Sequence, residues 1–402
     1  MTKPVAVIAG AGIAGAAAAW WLDRAGWETT VVEKSTAFRE GGYIVSVAGA
    51  GYETIKHMGL LDDIKAVAQD LEGNHLIDSR GKTIRSMLYA DYHTKWDWVS
   101  VRRDDLAKAL AESLPKTSSI RFGTTVDAFT DEGDKVRVVL ADGHVIQADL
   151  LIGADGFRSR MRSELFREEA DCLDRMGYYY AAYTYDDHDG EKNWCQSFTR
   201  AGQMDMMFPL RDQGMTAMHI WHEERDLELS TSQDRIKILK DVTGKCTPSV
   251  REAVEQAERS DSKISMDPLA LVKLPRWSKG RVLLMGDAAH CLTLISGQGA
   301  GMALASAEIL AGALQSTSDV LEALRIHEAK LRPSIERLQQ RSKDMAGWYI
   351  PKGTVAYWIR NWMFKLMPYS WLVSYHVKSL KTEVDLIELS QGSSTRSAQL
   401  ST

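Results

Sequence analysis

The first apolar run, Val5 to Ala9, is uninterrupted by polar residues, as expected of a strand buried on both faces, and it stops at Gly10. The period then changes. Ala14, Ala18, Trp21, Leu22 and Ala25 fall on one helical face, and Gly26 stands where the helix should end. Thr29 to Val32 predicts a second strand closing on Glu33. A comparable unit recurs far along the chain, where VLLMGDAAHCLTLISGQGAG (Val282 to Gly301) reads as a short strand, an acid, a loop and a glycine-rich helix start. Between roughly 171 and 275, MGYYYAAYTYD, WCQSFTRAGQMDMMFPLRD and GMTAMHIWHEE are rich in aromatic and β-branched residues bounded by turn formers, and predict antiparallel strands. Beyond Ser318 apolar residues at three- and four-residue spacing predict helices, with Pro333 expected to kink or restart them. The last dozen residues are small and polar, and a disordered tail is expected over 391–402.

Composition narrows the class. A chain of 402 residues with 45% hydrophobic and 26% charged residues can bury a large core, and two domains or one with an insertion are expected. A net charge of -5 offers no broad basic field for nucleic acid. Cys172, Cys195, Cys246 and Cys291 are scattered, without metal-ligand spacing, so reduced structural thiols and no metal site are expected. The N-terminal apolar run breaks at glycines too early for a signal-peptide core, which suggests a cytoplasmic protein. The most apolar candidate, VAYWIRNWMFKLMPYSWLVSYHV, is interrupted by Arg360, Lys365 and Pro368. Packing of these aromatics on the domain explains them more simply than membrane contact.

The N-terminal unit carries chemistry. Gly10, Gly12 and Gly15 form GxGxxG between a strand and a helix. The first glycine suits the tight turn, the second lets a pyrophosphate approach the backbone, and the third lets helix and strand pack closely. Ala14 stands among them at the helix start, whose free amides can hold phosphate. Glu33, eighteen residues after Gly15, is placed to accept from a ribose diol. This pattern alone leaves FAD and NAD both open.

Three further stretches decide between them: VRRDDLAKAL, DLLIGADGFRSRMR and GRVLLMGDAAH…GQGAG. With the N-terminal unit, and in matching order from residue 5 to about 315, the chain resembles the single-component FAD-dependent monooxygenases of the aromatic-hydroxylase type, which include p-hydroxybenzoate hydroxylase and the tetracycline-inactivating enzymes. The resemblance implies an α/β fold: a Rossmann-like FAD-binding domain (1–70, 97–170 and 276–330), an inserted antiparallel β-sheet substrate domain (71–96 and 171–275) and a C-terminal helical region (331–390). It implies that Asp287, after Gly286, holds the flavin ribityl chain, that Arg103 and Arg39 lie near the phosphate and ribose, and that Asp155 of the DG motif (Asp155, Gly156, Ser159 and Arg162) lies near the pyrophosphate. The amides opening the helix after Gly297, Gln298, Gly299 and Ala300 would meet the flavin pyrimidine edge. There is no second GxGxxG, which fits NADPH or NADH as a transient co-substrate. Many relatives carry proline in the loop after GDAAH; here it reads Cys291-Leu292-Thr293-Leu294-Ile295-Ser296.

The activity so implied is insertion of one atom of O2 into a bulky, aromatic or polyketide-like small molecule through a flavin C4a-hydroperoxide. The alternatives are a related FAD enzyme without oxygen insertion (an oxidase, dehydrogenase or redox-neutral cyclase) and a non-catalytic FAD-binding protein. Candidate pocket residues are Tyr183, Met206, Phe208, His219 and Trp221, of which His219 and Trp221 must share a strand face. No protein acid or base is assigned, and His290 is expected to have a structural role.

Overall fold

The computed structural model describes residues 3–38, 42–93, 97–166, 172–186, 192–211, 214–227, 231–368 and 371. Arg39, the expected tail 391–402 and residues 372–390 of the expected helical region therefore lie outside the described residues.

The strand read as Val5–Ala9 sits inside a six-stranded sheet in the order Ser278–Lys279, Val282–Leu284, Leu150–Gly153, Val5–Ala9, Glu28–Glu33, Ser118–Phe122. All neighbours are parallel except the short first pair. Continuous apolar composition follows from this position. Val7 and Ile8 are fully buried, as are Leu151, Ile152 and Leu283, because helices cover the sheet. The helix Ile13–Arg24 packs against one of them, Gly299–Ser316, and Gly26 leaves the first at φ +88°, as read from the sequence. Two smaller β elements adjoin this sheet: the meander Val126–Asp131, Val136–Leu140, Val145–Ala148, and the pair Ile44–Ala48 with Trp98–Arg102.

The second large sheet has seven strands in the order Ser265–Val272, Leu173–Tyr185, Met215–His222, Gln203–Pro209, Trp194–Arg200, Gly73–Ile77, Thr83–Leu88. It is antiparallel except where Trp194–Arg200 meets Gly73–Ile77. The stretch 71–96 does contribute two strands to it. Two helices absent from the sequence reading, Ser232–Thr243 and Pro248–Arg259, cover one face. The first opens on a capping box in which Thr231 and Asp234 exchange side-chain to backbone bonds; the second has Pro248 at its first turn.

Of the two effects expected of Pro333, a restart of the helix does not occur. One helix runs through it from Val320 to Tyr349. Leu331, Ser334, Ile335 and Leu338 are buried along it, and this lateral packing holds the helix across the one hydrogen bond a proline forfeits. A further helix, Thr354–Leu366, lies by the edge strand Thr83–Leu88, and Arg85 donates to the carbonyls of Phe364 and Met367. Its packed face is Tyr357, Arg360, Asn361 and Phe364. Trp358, Ile359, Trp362 and Leu366 are exposed, contrary to the expectation that these aromatics pack on the domain. No helix among the described residues is long and apolar enough to cross a membrane.

Candidate functional site

Leu150–Gly153 lies beside Val5–Ala9 and Val282–Leu284 beside Leu150–Gly153, all parallel, so the loops that leave the three strands emerge on one carboxyl edge, the usual ligand-binding edge of an open parallel sheet. Backbone bonds hold them in step: Ala154 N donates to Ala9 O (2.8 Å), Met285 N to Gly153 O (2.9 Å) and Gly10 N to Val32 O (2.8 Å). GxGxxG, DG and GD, far apart in the chain, become three adjacent loops.

Glycine is required there. Gly10 has φ +107°, and a Cβ on it would meet Ala154 O at 2.4 Å. A Cβ on Gly15 would meet Gly10 O at 1.9 Å, which is the close helix-to-loop packing the sequence implied, and one on Gly286 would press within 2.9 Å of Ala14 Cβ. A Cβ on Gly12 would meet nothing within 4 Å, so this backbone faces open space.

That space is a trench. Its outer part, about 290 Å³, is lined by Gly10, Gly12, Glu33, Arg103, Asp155 and Asp287 among others. Its inner part, about 300 Å³, shares Gly12, Arg103 and Asp287 and continues past Ala14, Gly286, Gly297, Gly299 and Ala300 to Tyr180, Met206, Phe208 and Met218 of the second sheet. Gln298 lies behind this wall, buried.

The charged groups are fixed in place. Glu33 accepts from the amides of Ala11 and Ser35, both at 3.0 Å, so its carboxylate is anchored at the rim. Asp155 accepts from Met161 N at 3.2 Å, while its other oxygen is buried without a partner among the described residues. Arg162, buried, donates to Ala288 O (3.0 Å) and Phe157 O (2.6 Å), which ties the DG loop to the GD segment. Arg103 begins the helix Arg103–Glu112 and lies over the Tyr43 ring. Tyr43, Asp287 and Asp104 hold its guanidinium above the ordinary value, and burial pushes the Tyr43 hydroxyl up to about 12. Both side chains remain in their usual protonation states. Tyr43 and Tyr180, edge to face with ring centroids 6.4 Å apart, were not singled out in the sequence.

The second sheet divides the pocket candidates. Met206 and Phe208 face the trench. Tyr183, His219 and Trp221 lie on the opposite face, under the helices, which departs from the sequence expectation. Two-residue alternation separates the groups, and it also identifies Tyr180 and Met218 as trench residues. On the covered face His219 Nδ1 is 2.8 Å from Asp205 Oδ1 and Nε2 is 2.9 Å from the Tyr183 hydroxyl, all three residues being buried. Burial, then Tyr185 and Asp205, pushes the Tyr183 hydroxyl well above its ordinary value.

His290 also points away from the trench. It packs against Trp277 in a separate depression with Arg332 and Gln339, and burial pushes its ring down to about 4, so it is neutral. Among the described residues no group of three or more His, Cys, Asp and Glu could hold a metal ion.

Residues 2–319 match the FAD binding domain family. The chain belongs to that family. A flavin-dependent monooxygenase from a Phoma species, eupH, is 30% identical over 386 residues, which cover 88% of this chain and 89% of that protein. In the solved structures the fold is shared with tetracycline destructase Tet(55) (TM-score 0.82, 23% identity, 96% of this chain and 98% of that one). It is also shared with Klebsiella pneumoniae HpxO complexed with FAD and uric acid (TM-score 0.80, 20% identity, 94% of this chain and 96% of that one). The chain is thus an FAD-dependent monooxygenase, an oxidoreductase with a Rossmann-like FAD-binding fold and an inserted sheet. The trench fits FAD in kind: an unobstructed glycine backbone beside a helix start suits a pyrophosphate, an anchored carboxylate suits a ribose, and the inner part is lined by apolar side chains.

Proposed function

We propose that this enzyme inserts one oxygen atom of O2 into a bulky, largely apolar or aromatic small molecule, with NADPH or NADH as transient reductant. One observation carries the reading: a single cavity joins the three cofactor-type loops to Tyr180, Met206, Phe208 and Met218. When bound, FAD supplies the electron transfer and the activation of O2. The chain supplies position and dryness. Gly10, Gly12, Ala14 and the first-turn amides take the pyrophosphate, with Gly15 packed behind them, and Glu33 takes the adenosine ribose. Arg103 and Asp155 flank the phosphates, and Asp287 takes the ribityl hydroxyls. The first-turn amides of Gly299 and Ala300, which have no acceptor within their helix, face the pyrimidine edge and favour negative charge there; Gly297 and Gln298 form the turn into that helix. Apolar side chains over the reacting centre exclude water, which would otherwise divert oxygen to peroxide.

The proposal also assigns 1–70, 97–170 and 276–330 to cofactor binding, 71–96 and 171–275 to substrate binding and 331–390 to a helical cover, in a cytoplasmic enzyme. An anaerobic visible spectrum, taken before and after NADPH with NADH in parallel, should show oxidised flavin that bleaches. Bleaching absent even with candidate ligands present counts against a reductive half-reaction. With 18O2, one labelled atom should enter the product, and unlabelled product would indicate a flavin enzyme that inserts no oxygen.

A further inference from the structure

The helix Thr354–Leu366 turns its apolar side chains toward solvent. Tyr357, Arg360, Asn361 and Phe364 face inward, and Arg360 is only 2% exposed, whereas Val355, Trp358, Ile359, Trp362 and Leu366 face outward, with Trp362 65% exposed. Positions 355, 359, 362 and 366 form one stripe of a 3.6-residue helix, and Trp358 widens it. Rolling the helix cannot hide this stripe, because the inner face is bonded to the second sheet and its neighbours. The Tyr357 hydroxyl donates to Thr199 O at 2.8 Å and accepts from Ser79 N at 3.0 Å, while Arg85 holds the carbonyls of Phe364 and Met367 at the other end. Trp348 before the helix and Trp371 after it are exposed too. A contiguous apolar patch of this kind marks a docking face.

Charge selects what docks there. Residues 345–382 contain no Asp or Glu but five Lys and Arg, in a chain whose net charge is -5. Lys365 is exposed in the last turn of the helix, and exposed Lys352 precedes its start, where Glu224 approaches at 3.5 Å. Arg80, also exposed, lies over the Trp358 ring, 4.9 Å from its centroid. Tryptophan rings beside cations suit a lipid interface, where the rings settle among headgroups and the basic side chains reach phosphate. A second copy of this face would oppose like charges, since the helix carries no carboxylate to answer them. At 13 residues, about 20 Å long, the helix is too short to span a bilayer but can lie along one. We propose that Thr354–Leu366 docks the enzyme on the surface of an anionic lipid bilayer, with Trp358, Ile359 and Trp362 entering the headgroup region and Arg80 and Lys365 meeting lipid phosphates.

The test is cosedimentation of the full chain with vesicles of phosphatidylcholine alone, or with about a third phosphatidylglycerol, at low salt and at about 0.5 M salt. The chain should bind the anionic vesicles, with a blue shift of tryptophan emission, and lose binding several-fold at high salt. Trp362→Glu should weaken binding at least roughly 10-fold and Lys365→Glu about 3- to 10-fold. Neither residue lines the trench, so the melting temperature and flavin spectrum should stay as in wild type. Trp362→Glu that binds anionic vesicles like wild type would overturn the inference, and equal binding to both vesicles would overturn the choice of anionic lipid. A full chain that stays in the supernatant with both would also overturn it. Sedimentation velocity showing a dimer that Trp362→Glu dissociates would then give the face to a second copy. Vesicle binding gained only by the double variant Val377→Asp, Leu380→Asp would give it to residues 372–390.

Discussion

The two faces of the seven-stranded sheet are made from the same strands and do opposite work. One presents Tyr180, Met206, Phe208 and Met218 to the cavity, half-buried or at its wall. The other presents Tyr183, Asp205, His219 and Trp221 to two helices, without access to the trench. The bonded polar network falls on the sealed face, among aromatic and thioether groups, whereas the open face presents thioether and aromatic groups without such a network. A buried polar side chain is therefore no sign of chemistry here. The side available to a ligand is the one with little to hydrogen-bond.

The sharpest way to break this comparison is to cut the sealed network. Asp205→Ala strands the donors of His219 and Gln203, both buried, and should cost roughly 3–5 kcal/mol in urea unfolding, with FAD affinity unchanged in the folded fraction. A loss under 1 kcal/mol by the same measurement would mean the network is not structural. The GDAAH segment repeats the division, with Asp287 toward the trench and His290 behind it, where His327 also lies against Trp277. Burial pushes these two rings down, to about 4 and about 3, so on acidification the unfolded chain takes up protons first, near 6.5. Stability they contribute is complete above that pH and is lost as pH falls through 6.5 toward 4, by about 3 kcal/mol for His290. Urea midpoints across this range should fall, and His327→Gln should flatten the fall.

On the open face the effects move from stability to function. Phe208→Ala should cost no more than about 1–2 kcal/mol in stability, yet it should lower kcat/KM for a confirmed substrate several-fold. His219→Gln should do the reverse. The smallest effect expected is at the rim, where Glu33→Ala should weaken FAD roughly 3- to 10-fold in a fluorescence titration and leave substrate KM unchanged.

What the chain reveals in advance follows the same division. The strand Val5–Ala9, the glycine turn and the acid Glu33 closing the second strand were legible because each is a local pattern with one physical cause, whereas Asp287 was singled out only through the family resemblance. Period-two alternation showed that His219 and Trp221 share a face, but which face meets the cofactor depends on two helices some distance along the chain, and those were masked by an expectation of strands. Pro333 does not divide the helix because the loss of one backbone bond is outweighed by packing along its length.

The strand order of the parallel sheet also sets a schedule for biosynthesis. Val5–Ala9 leaves the ribosome first, but two of the three loops that complete its binding edge follow residues 153 and 284. Contacts of such long sequence separation form late and slowly. Until the residues beyond 284 are made, the glycine turn lacks at least one of its partner loops, so a shorter nascent chain cannot present the complete binding edge.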